Sequence, residues 1–76
     1  MYRDIDRKIG QNIRKLRKER KLTQDKFVAK LQLAGFDISR NNYAKIEVGL
    51  RYIYPAEMII LKKTLNCTYD EIFKVE

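Results

Sequence analysis

The segment LTQDKFVAKLQLAGFDISRNNYAKIEVG occupies residues 22–49 and holds two helix beginnings and two helix ends. Thr23 precedes Gln24, Asp25 and Lys26, a hydroxyl N-cap with an acid in the first helical turn. Phe27, Val28 and Leu31 follow at the spacing of one buried helix face, and Gly35 gives the backbone freedom on which a helix ends. Ser39 caps a second segment of about ten residues, whose apolar stripe is Tyr43 and Ile46 and whose stop is Gly49.

The same rules extend outward from this pair. Ile5, Ile9, Ile13 and Leu16 are spaced by four, four and three, which places them on one face of an amphipathic helix from about Asp4 to Arg20. Pro55 suits the first position of a fourth helix, where no backbone donor is needed; Met58, Leu61 and Leu65 form its stripe and Asn66 its end. Thr68 and Glu71 have capping-box spacing for a last short helix carrying Tyr69, Ile72 and Phe73. No segment alternates with period two over a strand's length, so the expected fold class is all-α, with five helices in a single domain over residues 1–76.

A chain of 76 residues is too short for two lobes, and a domain of this size buries only about 60% of its unfolded surface, which favours a partner or a second copy. Hydrophobic residues at 45% are nevertheless ample for a core. Cys67 is the single cysteine and histidine is absent, so neither an internal disulfide nor a Cys/His zinc site can be assembled. No cofactor is expected. The start Met1-Tyr2-Arg3-Asp4 lacks the apolar region of a secretory signal, and the longest apolar run, Met58 to Leu61, is far too short to span a membrane. A cytoplasmic protein without membrane attachment is expected. With no Gly-rich phosphate loop and no recognisable pair of catalytic carboxylates, an enzyme has no site to work with.

The net charge is +7, and residues 1–22 carry nine basic side chains against three acidic ones. Two explanations stand side by side: complementing the negative end of the first helix dipole, or facing phosphate. Two short helices joined by a turn, the second capped and polar, describe a helix-turn-helix, in which the second helix enters the major groove.

Four pieces then carry a resemblance: IGQNIRKLR at residues 9–17, Leu22-Thr23-Gln24, SRNNYAKIEVG at 39–49 and LNCTYDEIF at 65–73. In this order and spacing they resemble the Cro and lambda-repressor type of DNA-binding domain, the XRE family. The resemblance implies a five-helix lambda-repressor-like bundle acting as a sequence-specific double-stranded DNA-binding transcriptional regulator. Helix 39–48 would lie in the major groove of a site bound by a homodimer. By the same resemblance Arg40, Asn41 and Lys45 reach base edges, while Gln24 and Asn42 hold the DNA backbone. Arg and Asn suit this work, since they grip guanine and adenine in bidentate fashion, although Asn41 and Asn42 are also ordinary formers of a helix start. Arg51 and the helix-one residues Arg14 and Lys18 are further backbone candidates. Arg17 and Glu47 match a structural pair joining the first helix to the end of the third, and Cys67 falls at a small core position, a buried and inert thiol.

Three departures from the family pattern bear on the site. The turn between the second and third helices, around residues 32–38, is about five residues longer than the usual tight one. A longer second helix and a plug formed by Phe36 or Ile38 are expected there. Leu50 replaces a basic residue after the third helix. Ile60, outside the stripe of the fourth helix, together with Tyr52, Ile53 and Tyr54 motivates either a dimer contact or a rival function. That rival is an antitoxin-like or antirepressor-like protein-interaction module built on the same bundle; attraction to nucleic acid or membrane surfaces through charge alone is a third reading.

Overall fold

The computed structural model describes residues Tyr2–Val75, which form five helices and, among the described residues, no strand. They are α1 (Tyr2–Glu19), α2 (Gln24–Leu33), α3 (Arg40–Glu47), α4 (Pro55–Leu65) and α5 (Tyr69–Phe73). Helix starts follow the caps expected from sequence. Thr23 accepts from the Lys26 amide at 3.1 Å and Ser39 from the Asn42 amide at 3.2 Å, while Thr68 and Glu71 close a capping box. Pro55 occupies the first turn of α4.

Four helix ends share one geometry, in which a residue with positive φ lets its own amide and the next one turn back onto the last carbonyls. After α2, Gly35 (φ 100°) donates to the Gln32 carbonyl at 3.1 Å and Phe36 to Leu31 at 2.9 Å. After α3, Gly49 (φ 79°) donates to Ile46 at 3.1 Å and Leu50 to Lys45 at 2.8 Å. Lys21 (φ 58°) and Asn66 (φ 51°) do the same after α1 and α4 without the help of a glycine.

This ending explains the long turn. Helix α2 reaches Leu33, and the reversal at Gly35 directs both Phe36 and Ile38 back into the core, where each is buried. The Gln32 amide donates to the Ile38 carbonyl at 3.0 Å, tying the turn across its mouth. The extra residues therefore form an ordered plug beneath the start of α3.

Around that plug, the core joins Ile13 and Leu16 of α1 to Phe27, Val28 and Leu31 of α2, and Tyr43 and Ile46 of α3 to Leu61 and Leu65 of α4. Phe27 and Tyr43 meet edge to face at 5.3 Å, which seats α3 on α2. Two expectations change. Ile5 is exposed, so the buried stripe of α1 begins at Ile9. Ile60 packs against the core from the side, and the neighbour that faces outward is Ile59.

Candidate nucleic-acid interface

Helix α3 is polar on one side and anchored on the other. Tyr43, Ile46 and Glu47 are buried, whereas Arg40, Asn41, Lys45 and Val48 are exposed and Ala44 is half-buried. At 100° per residue the five outward positions fall within an arc of about 140°, and Asn42 stands about 60° beyond it. The structure thus brings Arg40, Asn41 and Lys45 onto one face, with Asn42 at its edge. Val48, at the C-terminal end of that face, is an apolar member that pattern reading did not single out.

The anchor is a buried polar cluster centred on the Glu47 carboxylate. Arg17 donates to it from Nε at 2.7 Å and from Nη2 at 3.2 Å, Gln24 donates from Nε2 at 3.0 Å, and the Tyr43 hydroxyl donates to Oε2. The remaining Arg17 nitrogen, Nη1, reaches the Leu22 carbonyl at 2.6 Å, so the guanidinium ties α1 both to α3 and to the turn before α2. Burial would raise the Glu47 carboxyl, but the hydrogen bonds from Arg17, Tyr43 and Gln24 outweigh it and hold the group below the ordinary carboxylate range. Burial, followed by the neighbouring carboxylate, pushes the Tyr43 phenol up, so it remains a donor. Gln24 therefore stands half-buried at the start of α2 with its amide nitrogen engaged by Glu47.

Gly10 sets how closely α1 and α3 approach. A Cβ built there would lie 2.3 Å from the Ile46 carbonyl oxygen and 2.6 Å from that of Glu47, so only glycine permits this crossing. The end of α3 then abuts a shallow groove lined by Arg7, Gln11, Arg14, Val48 and Leu50. Arg14 and Lys18 are exposed and lie four residues apart on one stripe of α1, and Arg14 shares that groove with Val48.

Other basic residues are engaged within the fold. Arg20 donates to the carbonyls of Leu65 and Asn66 at 2.5 and 3.3 Å, satisfying the end of α4. Arg51, expected at phosphate, holds Glu57 through two parallel hydrogen bonds of 2.9 and 3.1 Å and stands 5.8 Å from the Phe36 ring centroid. Because Glu57 also accepts from the Tyr54 amide at 3.0 Å, this pair fixes the α3–α4 loop to the start of α4. Three of the five guanidinium hydrogens are thus engaged within the fold. Arg40 is also paired, its Nε lying 3.1 Å from Asp25 Oδ1, with both side chains exposed. Nothing in the sequence pattern announced that partner, because Asp25 reads equally well as a helix-start acid.

Two N-capped helices, the second with a polar outward face over a buried ion pair, are the arrangement of a helix-turn-helix domain. The helix-turn-helix domain family matches residues 10–76, and the chain belongs to this XRE-type family. No curated protein and no solved structure matches it.

Proposed function

We propose that the protein is a sequence-specific, double-stranded DNA-binding transcriptional regulator that places α3 in the major groove. The observation that carries this reading is the division of α3 itself, with Arg40, Asn41 and Lys45 outward and Tyr43, Ile46 and Glu47 clamped inside. Arg40, Asn41 and Lys45 read base edges; Gln24, Asn42, Arg14, Lys18 and Arg51 hold backbone phosphate. The whole chain acts as one cytoplasmic, non-enzymatic domain and binds as a homodimer. Selection from random duplex DNA tests the reading: a recovered motif is expected, with affinity falling steeply with salt, at about 0.9 in log–log slope per phosphate contact. Failure to recover any motif would refute it.

One observation favours the second reading, a protein-interaction module. An open groove of about 370 Å³ lies between α1, the α3–α4 loop, α4 and α5, with Tyr52, Ile59, Tyr69 and Phe73 on its walls. A protein partner seated there would bind with little salt dependence, the opposite of the duplex response.

A further inference from the structure

A cation at the first residue of a helix meets the positive end of that helix's dipole and is disfavoured there. Arg40 is such a residue, and the group that offsets it is the carboxylate of Asp25 on the neighbouring helix, at 3.1 Å. Asp25 is the second residue of α2, so the ion pair links the starts of the two helices that form the motif. Its geometry is specific in one respect. The closest approach runs through Nε, and the two terminal nitrogens of Arg40 donate no hydrogen bond among the described residues. Their outer edge is the one that can approach two acceptors side by side, as on a guanine.

We propose that Asp25 is a specificity-determining positioning residue: it orients the Arg40 fork toward a base edge and, as the acid between Gln24 and Lys26, weakens attraction to phosphate in general. The proposal rests on the reading of α3 as the helix that enters the groove. Both side chains are largely exposed, 59% for Arg40 and 76% for Asp25, so the pair adds little to the stability of the free protein. Its effect grows on a duplex, where water is displaced and screening falls. An unread duplex gains nothing from Arg40 in that orientation and still faces the Asp25 charge.

The test compares wild type, Asp25→Asn and Asp37→Asn by fluorescence anisotropy. Each is titrated on the selected duplex, on a variant changed at the base pair whose preference Arg40→Ala abolishes, and on scrambled DNA. Asp37 is another exposed acid near the start of α3, and its neutralisation changes net charge equally without touching Arg40. Asp25→Asn is expected to lower discrimination at that base pair by about fivefold, equivalent to about 1 kcal/mol, the upper range for an exposed pair. Affinity for scrambled DNA should rise by about twofold on losing a like charge beside phosphate. Asp37→Asn should shift all duplexes together and leave the ratio unchanged. If Asp25→Asn leaves the ratio unchanged, or Asp37→Asn changes it equally, the role of Asp25 is refuted while the regulator reading stands. If wild type shows no preferred duplex, the regulator reading falls and the proposal with it.

Discussion

Removing the Glu47 carboxylate is the perturbation that most directly probes how α3 is held. Four hydrogen bonds converge on it, and both it and Arg17 are almost fully withdrawn from water, with side chains 2% and 7% exposed. Leaving one member of such a pair buried without its partner typically costs about 3–5 kcal/mol. A chain of 76 residues has a total stability of only about 4–11 kcal/mol. Glu47→Ala is thus expected at or beyond the edge of folding. Glu47→Gln, which keeps the shape and one acceptor oxygen, should cost about 2–3 kcal/mol, the loss of a charged acceptor at a buried donor. Urea unfolding followed by circular dichroism measures this directly.

The pH dependence supplies an independent check. Because the folded Glu47 carboxyl titrates below its unfolded value, its contribution is fully present above about pH 4.5 and lost as pH falls through the folded value. The stability gap between wild type and Glu47→Gln should therefore narrow as pH falls below about 4.5. Glu57 and Glu71 are also held low, by hydrogen bonds from Arg51 and Thr68 respectively, but both variants share them and the comparison cancels their effect. A cost below about 1 kcal/mol at pH 7, no more than an ordinary hydrogen bond, or a gap constant with pH, would refute the view that Glu47 is the ionised centre of the anchor.

Four further outcomes follow from other parts of the structure. Arg40→Ala and Asn41→Ala should each lose about 1–3 kcal/mol on the preferred duplex and almost nothing on scrambled DNA, whereas Arg14→Ala and Lys18→Ala should weaken both alike and reduce the salt slope by about one per contact; paired titrations at two salt concentrations separate the groups. Gly10→Ala should lower the melting temperature and reduce sequence preference together, since its Cβ would drive the α3 carbonyls away; a variant that melts like wild type would contradict the close packing. Lys21→Gly should stabilise the fold by about 0.5–1 kcal/mol by relieving a positive φ, as read by urea unfolding. A duplex carrying the recovered motif should bind two copies on half-sites about 34–36 Å apart, and one copy per duplex at saturation in analytical ultracentrifugation would rule out the homodimer.

Much of the fold is legible in the sequence because its boundaries are written in local chemistry. Thr23, Ser39 and Thr68 act on amides within three residues of themselves, and Pro55 acts through the backbone donor it lacks, so their roles need no tertiary information. Gly35, Gly49 and Asn66 mark helix ends for the same reason, whereas Lys21 adopts the same left-handed conformation without such a mark. What periodicity does not settle is which apolar residue meets a neighbour. Ile5 continues the α1 stripe yet is exposed, and Ile60 lies off its stripe yet is half-buried, because burial depends on what another helix places opposite. The site divides in the same way. Composition counts nine basic residues over the first 22, but the fold sends Arg17 to Glu47 and Arg20 to the end of α4. Arg40 and Asp25 are fifteen positions apart, and only the reversal at Gly35 brings them together.

Helix α3 has only eight residues, too few to be stable alone in water, so its shape and direction must come from what surrounds it. Every strong constraint falls on one side or at one end. Tyr43 is locked by Phe27, Ile46 and Glu47 abut the gap left by Gly10, and Glu47 is held by Arg17 and Gln24. Its outward side carries no buried contact and one exposed ion pair. Substitutions on the two sides should therefore separate cleanly. Those at positions 40, 41, 44, 45 and 48 are free to alter which surface the helix recognises at little cost in stability, while those at 43, 46 and 47 change stability first and recognition through it. The long plug at Phe36 and Ile38 fits this division, since it adds apolar burial beneath the start of α3 and leaves the exposed arc unchanged. The helix is presented as a fixed edge, and the choice of partner lies with side chains that the core does not need.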